Sequence, residues 1–321
     1  MDPTGEMTQD AVTQFTLPET NLAEDQFAER KRRSIEFLER DNGENADMAQ
    51  LRQIIRTAQP RLVVSIDHLR EFDAEFAAHL VAEPSEFIPA LEDAAKQIAV
   101  RLAGAENVVI ADLKTYRVAV GFQGSFGAHH VTPRGLRARL LGQLVCIEGI
   151  VTRCSLVRPK VVRSVHYSEA AKTFYAKAYQ DATTSAGGSN SGFSSAYPTA
   201  DDKGQPLTTE FGYSQYMDHQ TVNVQEMPER APPGQLPRGV DVIMDDDLVD
   251  AVKPGDRVTL VGVYRALGGK AMTAASAIFR TVVVVGSVQV FGAGSLAAAG
   301  GSSSTTISAR ELASRAQATG Q

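Results

Sequence analysis

A change of hydrophobic pattern near residue 121 constrains this chain more than any other feature. Before it, apolar residues recur at helical spacing, as after Pro84, where Phe87, Leu91 and Ile98 fall on one side. After it, apolar residues come in short β-type runs separated by Gly, Pro and Asp clusters. These runs are 144–151, 160–166, 221–225, 239–244, 257–264 and 277–285. The sequence therefore predicts a mostly helical first part followed by a small β-barrel or sandwich.

Composition excludes several classes of protein. The 321 residues contain 32 Lys and Arg against 38 Asp and Glu, a net charge of −6, which excludes a uniformly basic DNA-coating protein. No apolar run reaches the roughly 20 residues of a membrane-spanning helix, so we expect no membrane association. The first ten residues are polar and acidic, unlike a secretory signal. With two cysteines, Cys146 and Cys154, a disulfide scaffold is excluded and a reducing compartment is expected.

Signatures of catalysis are missing from the sequence. It contains no G-x-x-x-x-G-K-[ST] phosphate loop, no G-x-G-x-x-G and no G-x-S-x-G elbow, so we predict no catalytic residue and no activity from this chain alone. The adjacent His129 and His130, the isolated His166 and His219, and the two cysteines lack the paired spacing of zinc ligands. The sequence therefore predicts no metal site.

Basic residues are concentrated in one segment. Seven cations and a single acid, Glu148, lie between residues 129 and 163, within a chain of negative net charge. The cations are Arg134, Arg137, Arg139, Arg153, Arg158, Lys160 and Arg163. Positive grooves on small barrels commonly follow a nucleic-acid backbone. The same segment could instead present a basic face that pairs with an acidic neighbouring subunit, and charge alone favours neither interpretation.

Two longer stretches resemble a known family. They are CIEGIVTRCSLVRPKVVRSVHY (146–167) and HQTVNVQEMPERAPPGQLPRGVDVIMDDDLVDAVKPGDRVTLVGVYRAL (219–267). Both are similar to the N-terminal region of the minichromosome maintenance (MCM) replicative helicases. The segments PRLVVSIDHLR and VGFQGSFGAHHVTPRGL look like the third of the six eukaryotic paralogue groups. The resemblance extends over roughly residues 23–285.

The resemblance implies an α+β chain with an N-terminal helical bundle and an OB-fold β-barrel that carries an inserted small zinc-ribbon-like subdomain. The domain boundaries follow by position: a flexible N-terminal tail (1–20), the helical subdomain (21–128), the barrel (129–164 and 221–290), the insertion (165–220) and a linker-like tail (291–321). Residues 165–220 contain no C-x-x-C pair, and Ser168 stands where this paralogue group often has cysteine. The sequence therefore argues against zinc in this chain.

The resemblance also implies a function. The family's N-terminal tiers form a hetero-hexameric ring of paralogues around single- and double-stranded DNA in the nucleus, with helicase-loading factors as further partners in origin licensing and unwinding. ATP and magnesium belong to the family's AAA+ motor, and this sequence ends at Gln321 without a phosphate loop, so no cofactor is expected here. The alternative is a purely structural subunit-interaction module without direct DNA contact.

Two sets of site residues follow from the family motifs and the positions of the cations. The predicted DNA contacts are Arg153, Lys160, Arg163, Arg238, Arg265 and Lys270, the last two flanking a predicted hairpin turn. The predicted inter-subunit loop, which the resemblance directs toward neighbouring subunits, contains Gln225, Glu226, Pro228, Glu229, Gly234, Pro237 and Arg238.

Overall fold

A computed structural model provides the coordinates of the chain. It describes residues 19–40, 46–57, 61–106, 116–169, 172–179, 198–200, 206–267 and 279–291. The predicted tails at 1–20 and 291–321 lie almost entirely outside these ranges. Among the described residues, no helix is both long enough and apolar enough to cross a membrane.

Helices make up most of the N-terminal part. They are α1 (Glu19–Glu39), α2 (Ala46–Thr57), α3 (Ile66–Phe72), α4 (Ala74–Ala82) and α5 (Pro84–Ala105). Asp73 separates α3 from α4, because its carboxylate accepts hydrogen bonds from the backbone N–H groups of Glu75 and Phe76, both at 3.0 Å, and so caps α4. The apolar stripes meet in one core, in which Leu51, Leu80 and Leu91 are fully buried. Two short strands, β1 (Arg61–Ser65) and β2 (Ala119–Gln123), pair in parallel beside the helices.

The remaining strands form one mixed sheet. They are β3 (His130–Val131), β4 (Leu144–Cys154), β5 (Arg158–Ser168), β6 (Thr173–Ala178), β7 (Thr208–Thr209), β8 (Gln215–Gln225), β9 (Gly239–Asp245), β10 (Arg257–Leu267) and β11 (Arg280–Phe291). The order is β3-β4-β10-β11-β9-β8-β5-β6, and β8 also pairs with β4. This extra pairing closes β4, β10, β11, β9 and β8 into a five-stranded barrel. Its interior is filled by alternate residues such as Ile147, Val242 and Val283. The predicted α+β combination is confirmed.

The insertion is joined to the barrel through β5, which pairs with the first half of the barrel strand β8. Both β6 and β7 pair with the distal half of β5. The predicted domain boundaries at residues 164 and 220 fall inside β5 and β8. Each of these strands is 11 residues long and continues across the predicted boundary. Barrel and insertion therefore share continuous strands, and the insertion is joined to the barrel through a paired ladder.

The helical part contacts the barrel through a close backbone crossing. A Cβ atom on Gly121 would lie 2.5 Å from the carbonyl oxygen of Gly286, so β2 can approach β11 this closely only because glycine occupies the position. Ser287 Oγ donates a hydrogen bond to the carbonyl oxygen of Phe122. Arg61, from β1, pairs with Asp247 at 2.6 Å and donates to the Gly286 carbonyl at 2.6 Å. These contacts tie the helical part to one edge of β11.

Candidate nucleic-acid interface

A row of side chains crosses the outer face of the barrel. Arg153 is opposite Asn223, which is opposite Asp241. Asp241 pairs with Val282, and Val282 is opposite Arg265. The residues that alternate with these along the strands fill the barrel interior, so the row points outward. With strands about 4.8 Å apart, Arg153 and Arg265 are about 19 Å apart along the sheet.

A groove with a cavity volume of about 320 Å³ opens over the Arg153 half of this row. It is lined by Arg153, Ser155, Arg158, His219, Thr221, Asn223, Asp241 and Arg280. Three guanidinium groups therefore face one carboxylate, with hydroxyl, amide and imidazole groups between them. Such a set of donors suits the phosphate oxygens of a nucleic-acid backbone.

Asp241 is the carboxylate that limits the positive charge of this groove. It accepts hydrogen bonds from Asn223 Nδ2 at 3.0 Å and from Arg280 Nη2 at 2.6 Å. The hydrogen bond from Asn223, followed by that from Arg280 and the nearby charge of Arg153, lowers the pKa of Asp241 below its ordinary value. Asp241 is therefore ionised at neutral pH and holds the Arg280 guanidinium against the barrel.

Of the predicted DNA-contacting residues that the structure describes, Arg153 alone lines the groove, where it is exposed. Lys160 lies on β5 two residues beyond Arg158, on the same side of the strand, and is half-buried. Arg163 is exposed but follows a register shift after Val161. The structure thus places Arg153 on β4 and the other two on β5, two strands that both pair with β8, without bringing the three into one cavity.

The other three predicted contacts lie elsewhere. Arg238 is exposed at the start of β9, three residues or about 10 Å along the strand from Asp241. Arg265 is half-buried on β10, and burial lowers the pKa of its guanidinium. β10 and β11 form an antiparallel pair in which Arg265 is opposite Val282, whereas Lys270, the other residue predicted to flank the hairpin turn, lies outside the described residues.

Three basic residues of the groove, Arg158, His219 and Arg280, were not among the predicted contacts. Arg158 belongs to the basic segment, but Arg280 and His219 come from distant parts of the chain. His219 is opposite Arg158 in the β5–β8 ladder, and its Nδ1 lies 2.6 Å from Asp245 Oδ1, which fixes the ring at the groove wall. Arg280 is opposite Leu267 in the β10–β11 ladder, a pairing that a tight turn at residues 267–269 would not have indicated.

The predicted inter-subunit loop follows β8 and returns to β9. Gln225 ends β8, Pro228 and Glu229 lie in a 3₁₀ turn (Pro228–Arg230), and Gly234 has a φ of +80° that favours glycine. The loop also contains Pro237, which is half-buried, and the exposed Arg238. Glu226, in contrast, is only 2% exposed and forms an ion pair with Arg134 at 3.2 Å. Part of the loop is therefore an internal anchor.

The insertion contains a buried polar cluster where a metal centre could have been expected. His166 is fully buried, with Nε2 2.6 Å from Ser164 Oγ and Nδ1 3.2 Å from Thr209 Oγ1. Burial, with a smaller contribution from Lys177, lowers the pKa of His166. Within the described part of the chain, no three His, Cys, Asp or Glu side chains are grouped to hold a metal ion. Since both ring nitrogens contact hydroxyl groups and residues 155–321 contain no cysteine, these residues do not fit a zinc ribbon.

The two thiols do not form a reactive site. Burial, together with the charge of Glu148, raises the pKa of Cys146 to about 12, so this thiol stays protonated at neutral pH. Burial also raises the pKa of Cys154, whose Sγ lies 3.8 Å from the carbonyl oxygen of Val252. Neither cysteine has the lowered pKa that nucleophilic chemistry requires.

Comparison with known proteins gives a consistent result over most of the chain. Residues 31–124 match the MCM N-terminal domain and residues 130–268 match the MCM OB domain. The chain is 47% identical over 274 residues to the DNA replication licensing factor mcm3 of Schizosaccharomyces pombe, which covers 84% of this chain and 31% of that protein. It is 44% identical over 270 residues to the DNA replication licensing factor MCM3 homolog 1 of Zea mays (84% and 34% covered). It is also 44% identical over 265 residues to the zygotic DNA replication licensing factor mcm3 of Xenopus laevis (83% and 32% covered). The chain therefore spans about a third of the length of these relatives.

Proposed function

Because the chain belongs to the MCM family, whose N-terminal and OB domains match residues 31–124 and 130–268, we propose that it is the DNA-binding and ring-assembly tier of a replicative helicase subunit. The observation that carries the DNA-binding part is the groove in which Arg153, Arg158 and Arg280 converge on the outer face of the barrel. Phosphate contacts of this kind position DNA without reading its sequence. The proposed ligand is therefore single- or double-stranded DNA, bound through its backbone.

The assembly part of the proposal is supported by the family motif in the inter-subunit loop, which connects β8 to β9. We place the whole protein in the nucleus, in a hetero-hexameric ring with the other MCM paralogues, with helicase-loading factors as transient partners. The similarity to DNA replication licensing factors supports a role in replication licensing. ATP and magnesium would serve the family's AAA+ motor rather than the described residues.

We propose that the segment between β5 and β8 is the counterpart of the family's zinc-ribbon insertion. Its support is topological, since β6 and β7 extend from β5 as an outgrowth of the barrel. The hydrogen bonds of His166 with Ser164 and Thr209 would then stabilise the insertion where relatives use a metal.

The second candidate function is subunit interaction without DNA contact, and the acids around the groove favour it. Asp241 already pairs with Arg280, and Asp245 already pairs with His219. Binding of a fluorescent single-stranded oligonucleotide over a range of salt concentrations separates the two candidates. If the groove contacts phosphates, a plot of the logarithm of the binding constant against the logarithm of the salt concentration should have a slope of about −0.7 per neutralised phosphate. No binding at low salt, by the chain alone or within an assembled ring, would favour the structural role.

Replacing Asp241 by asparagine should strengthen this binding by about three- to tenfold at low salt, because it removes the one carboxylate of the groove and releases Arg280 toward the phosphates. The oligonucleotide assay measures the change. Asp93→Asn, which alters the net charge equally but breaks an ion pair with Lys31 on the distant helical part, is the matched control. Equal affinities for wild type and Asp241→Asn would show that the groove does not bind phosphate.

A further inference from the structure

Aromatic side chains are exposed together on one face of the insertion. Phe174, on β6, is 61% exposed, and Phe211 and Tyr213, in the turn before β8, are each 71% exposed. The centroid of the Phe174 ring lies 5.0 Å from that of Tyr167, on β5, and 6.1 Å from that of Tyr213. Rings from β6 and from the turn therefore meet over the face of β5. The rings of Tyr167, Phe174 and Tyr213 form an aromatic platform.

The backbone holds the outer rings of the platform in place. On one side of β5, the Glu210 N–H donates to the Val165 carbonyl at 2.9 Å, and the Val165 N–H donates to Ser214 Oγ at 3.1 Å. Ser214 Oγ in turn donates to the Glu210 carbonyl at 2.8 Å, which fixes the turn that carries Tyr213. On the other side, the β5–β6 ladder fixes the backbone of Phe174. The platform is therefore ordered before any ligand binds, which lowers the entropic cost of binding.

The face of β5 that carries the platform also carries cations nearer the barrel. In the β5–β8 ladder, Arg158, Lys160 and Arg163 are opposite His219, Met217 and Gln215, in that order. Since alternate residues of β8 lie on one face, their three partners on β5 share a face as well. The register shift between residues 161 and 163 allows this, because it compensates for the odd spacing from residue 160 to residue 163.

The cations and the platform together mark a path along β5. Tyr167 follows Arg163 by four residues, or about 13 Å, and alternation places both on the same face. Arg158, which lines the groove, is nine residues or about 30 Å from Tyr167. The path therefore leads from the groove on the barrel to the aromatic platform on the insertion.

We propose that the aromatic platform stacks unpaired bases of a single DNA strand whose phosphates lie in the groove and along β5. The inference rests on the proposed DNA-binding function and names the form of DNA that the insertion recognises. Aromatic rings stack on any base, so the contact does not depend on sequence. At roughly 3.4 Å per stacked nucleotide, the path corresponds to about nine nucleotides, within the roughly 4–16 that one OB fold binds.

Two observations favour single-stranded DNA over a protein partner. The ring planes of Tyr167 and Phe174 meet at 49°, and those of Phe174 and Tyr213 meet at 68°, so the rings do not cover each other's faces. Open ring faces suit the flat face of a base. In addition, the platform continues a row of cations that begins in the groove, and a polyanion complements that row.

Two oligonucleotides of equal length and charge test the proposal. One is oligothymidylate, and the other has abasic nucleotides at its central positions, so that it keeps the phosphates and lacks the bases. Wild-type chain should bind the abasic oligomer about fivefold or more weakly than oligothymidylate. Phe174→Ala should lose about the same factor on oligothymidylate and less than about twofold on the abasic oligomer. Equal wild-type affinity for the two oligomers, or an equal loss on both in the variant, would overturn the proposal.

The salt dependence and two further variants separate stacking from other effects. The slope of log affinity against log salt concentration should be the same for Phe174→Ala and wild type, because stacking releases no counterions. Phe174→Tyr keeps the ring and should bind oligothymidylate within about twofold of wild type. Phe291→Ala is the matched control, since it removes a ring that is 49% exposed at the opposite end of β11 from Arg280. A loss in Phe291→Ala equal to that in Phe174→Ala would count against a specific platform.

The outcomes also separate this inference from the proposed function. If wild-type chain binds both oligomers equally well, the platform is wrong and phosphate binding in the groove stands. If it binds neither at low salt, alone or within an assembled ring, the DNA-binding function and the platform are both overturned. If Phe174→Ala binds DNA as wild type does but associates more weakly with another MCM subunit, the platform is a protein interface and the proposal is wrong.

Discussion

Reversing the charges of Arg153 and Arg158 together, with Arg153→Glu and Arg158→Glu, should weaken single-stranded DNA binding by about 10- to 100-fold at low salt. Both side chains are exposed and line the same groove, so each reversal removes a cation from the proposed phosphate path and adds an anion to it. The loss should be similar for unrelated DNA sequences, because backbone contacts do not read the bases.

The salt dependence identifies the origin of this loss. If each arginine neutralises one phosphate of single-stranded DNA, the loss of both should make the slope of log affinity against log salt concentration shallower by about 1.4. Arg32→Glu with Arg70→Glu changes the net charge by the same amount on exposed helical surfaces and serves as the control. If the double variant folds and binds DNA with wild-type affinity, these arginines do not contact DNA, and the alternative role at a subunit interface would be favoured. Equal losses in the control pair would indicate a general effect of net charge.

Hydrophobic pattern predicts most elements of this fold because it is a local signal. The stripe after Pro84 becomes α5, and the six β-type runs each become part of a barrel strand or of its extension. The pattern fails where a strand is polar. Residues 215–220 contain Asp218, His219 and Gln220, yet they belong to β8. Strand pairing depends on backbone hydrogen bonds, and β5 pairs with residues 215–219 whatever their side chains are.

The groove could not be predicted in the same way, because strand register creates it. Arg153, Asn223 and Asp241 are neighbours only through two antiparallel pairings between residues far apart in sequence. Arg280 reaches Asp241 across 39 positions of the chain. Counting charges identified the basic segment that contains Arg153, but gave no indication of the acid that faces it.

The count also treated all seven cations of that segment alike. Arg134 in fact donates to three oxygens of the inter-subunit loop, those of the buried Glu226 carboxylate, the Gln235 side chain and the Leu236 carbonyl. Arg137 and Arg139, a few residues later, are exposed. A cation that pairs with a buried acid stabilises the fold, whereas an exposed cation is available to a ligand. The burial of Glu226 at the base of the loop arises only in the folded chain, so the sequence could not show it.

Replacing Gly262 by alanine should destabilise the chain by about 3 kcal/mol, since the added methyl group cannot be accommodated in the barrel. Gly262 lies on β10 where the register with β11 shifts, and a Cβ atom there would be 2.3 Å from the Val284 carbonyl oxygen and 2.9 Å from the Val285 Cα. These are backbone atoms of the partner strand, so relief requires the hairpin that carries Arg265 and Arg280 to open.

The midpoint of urea unfolding measures this effect. The dependence of the free energy of unfolding on urea concentration should also be compared, because it reports the surface exposed on unfolding. Gly104→Ala is the matched control, because Gly104 lies near the end of α5 with no atom within 4 Å of the added Cβ. Alanine there should leave the midpoint unchanged or raise the stability by up to about 1 kcal/mol, as expected from helix propensity. A Gly262→Ala chain with the wild-type midpoint would mean that β10 and β11 do not pack this closely. The hairpin could then not hold Arg280 in the groove by the register described above.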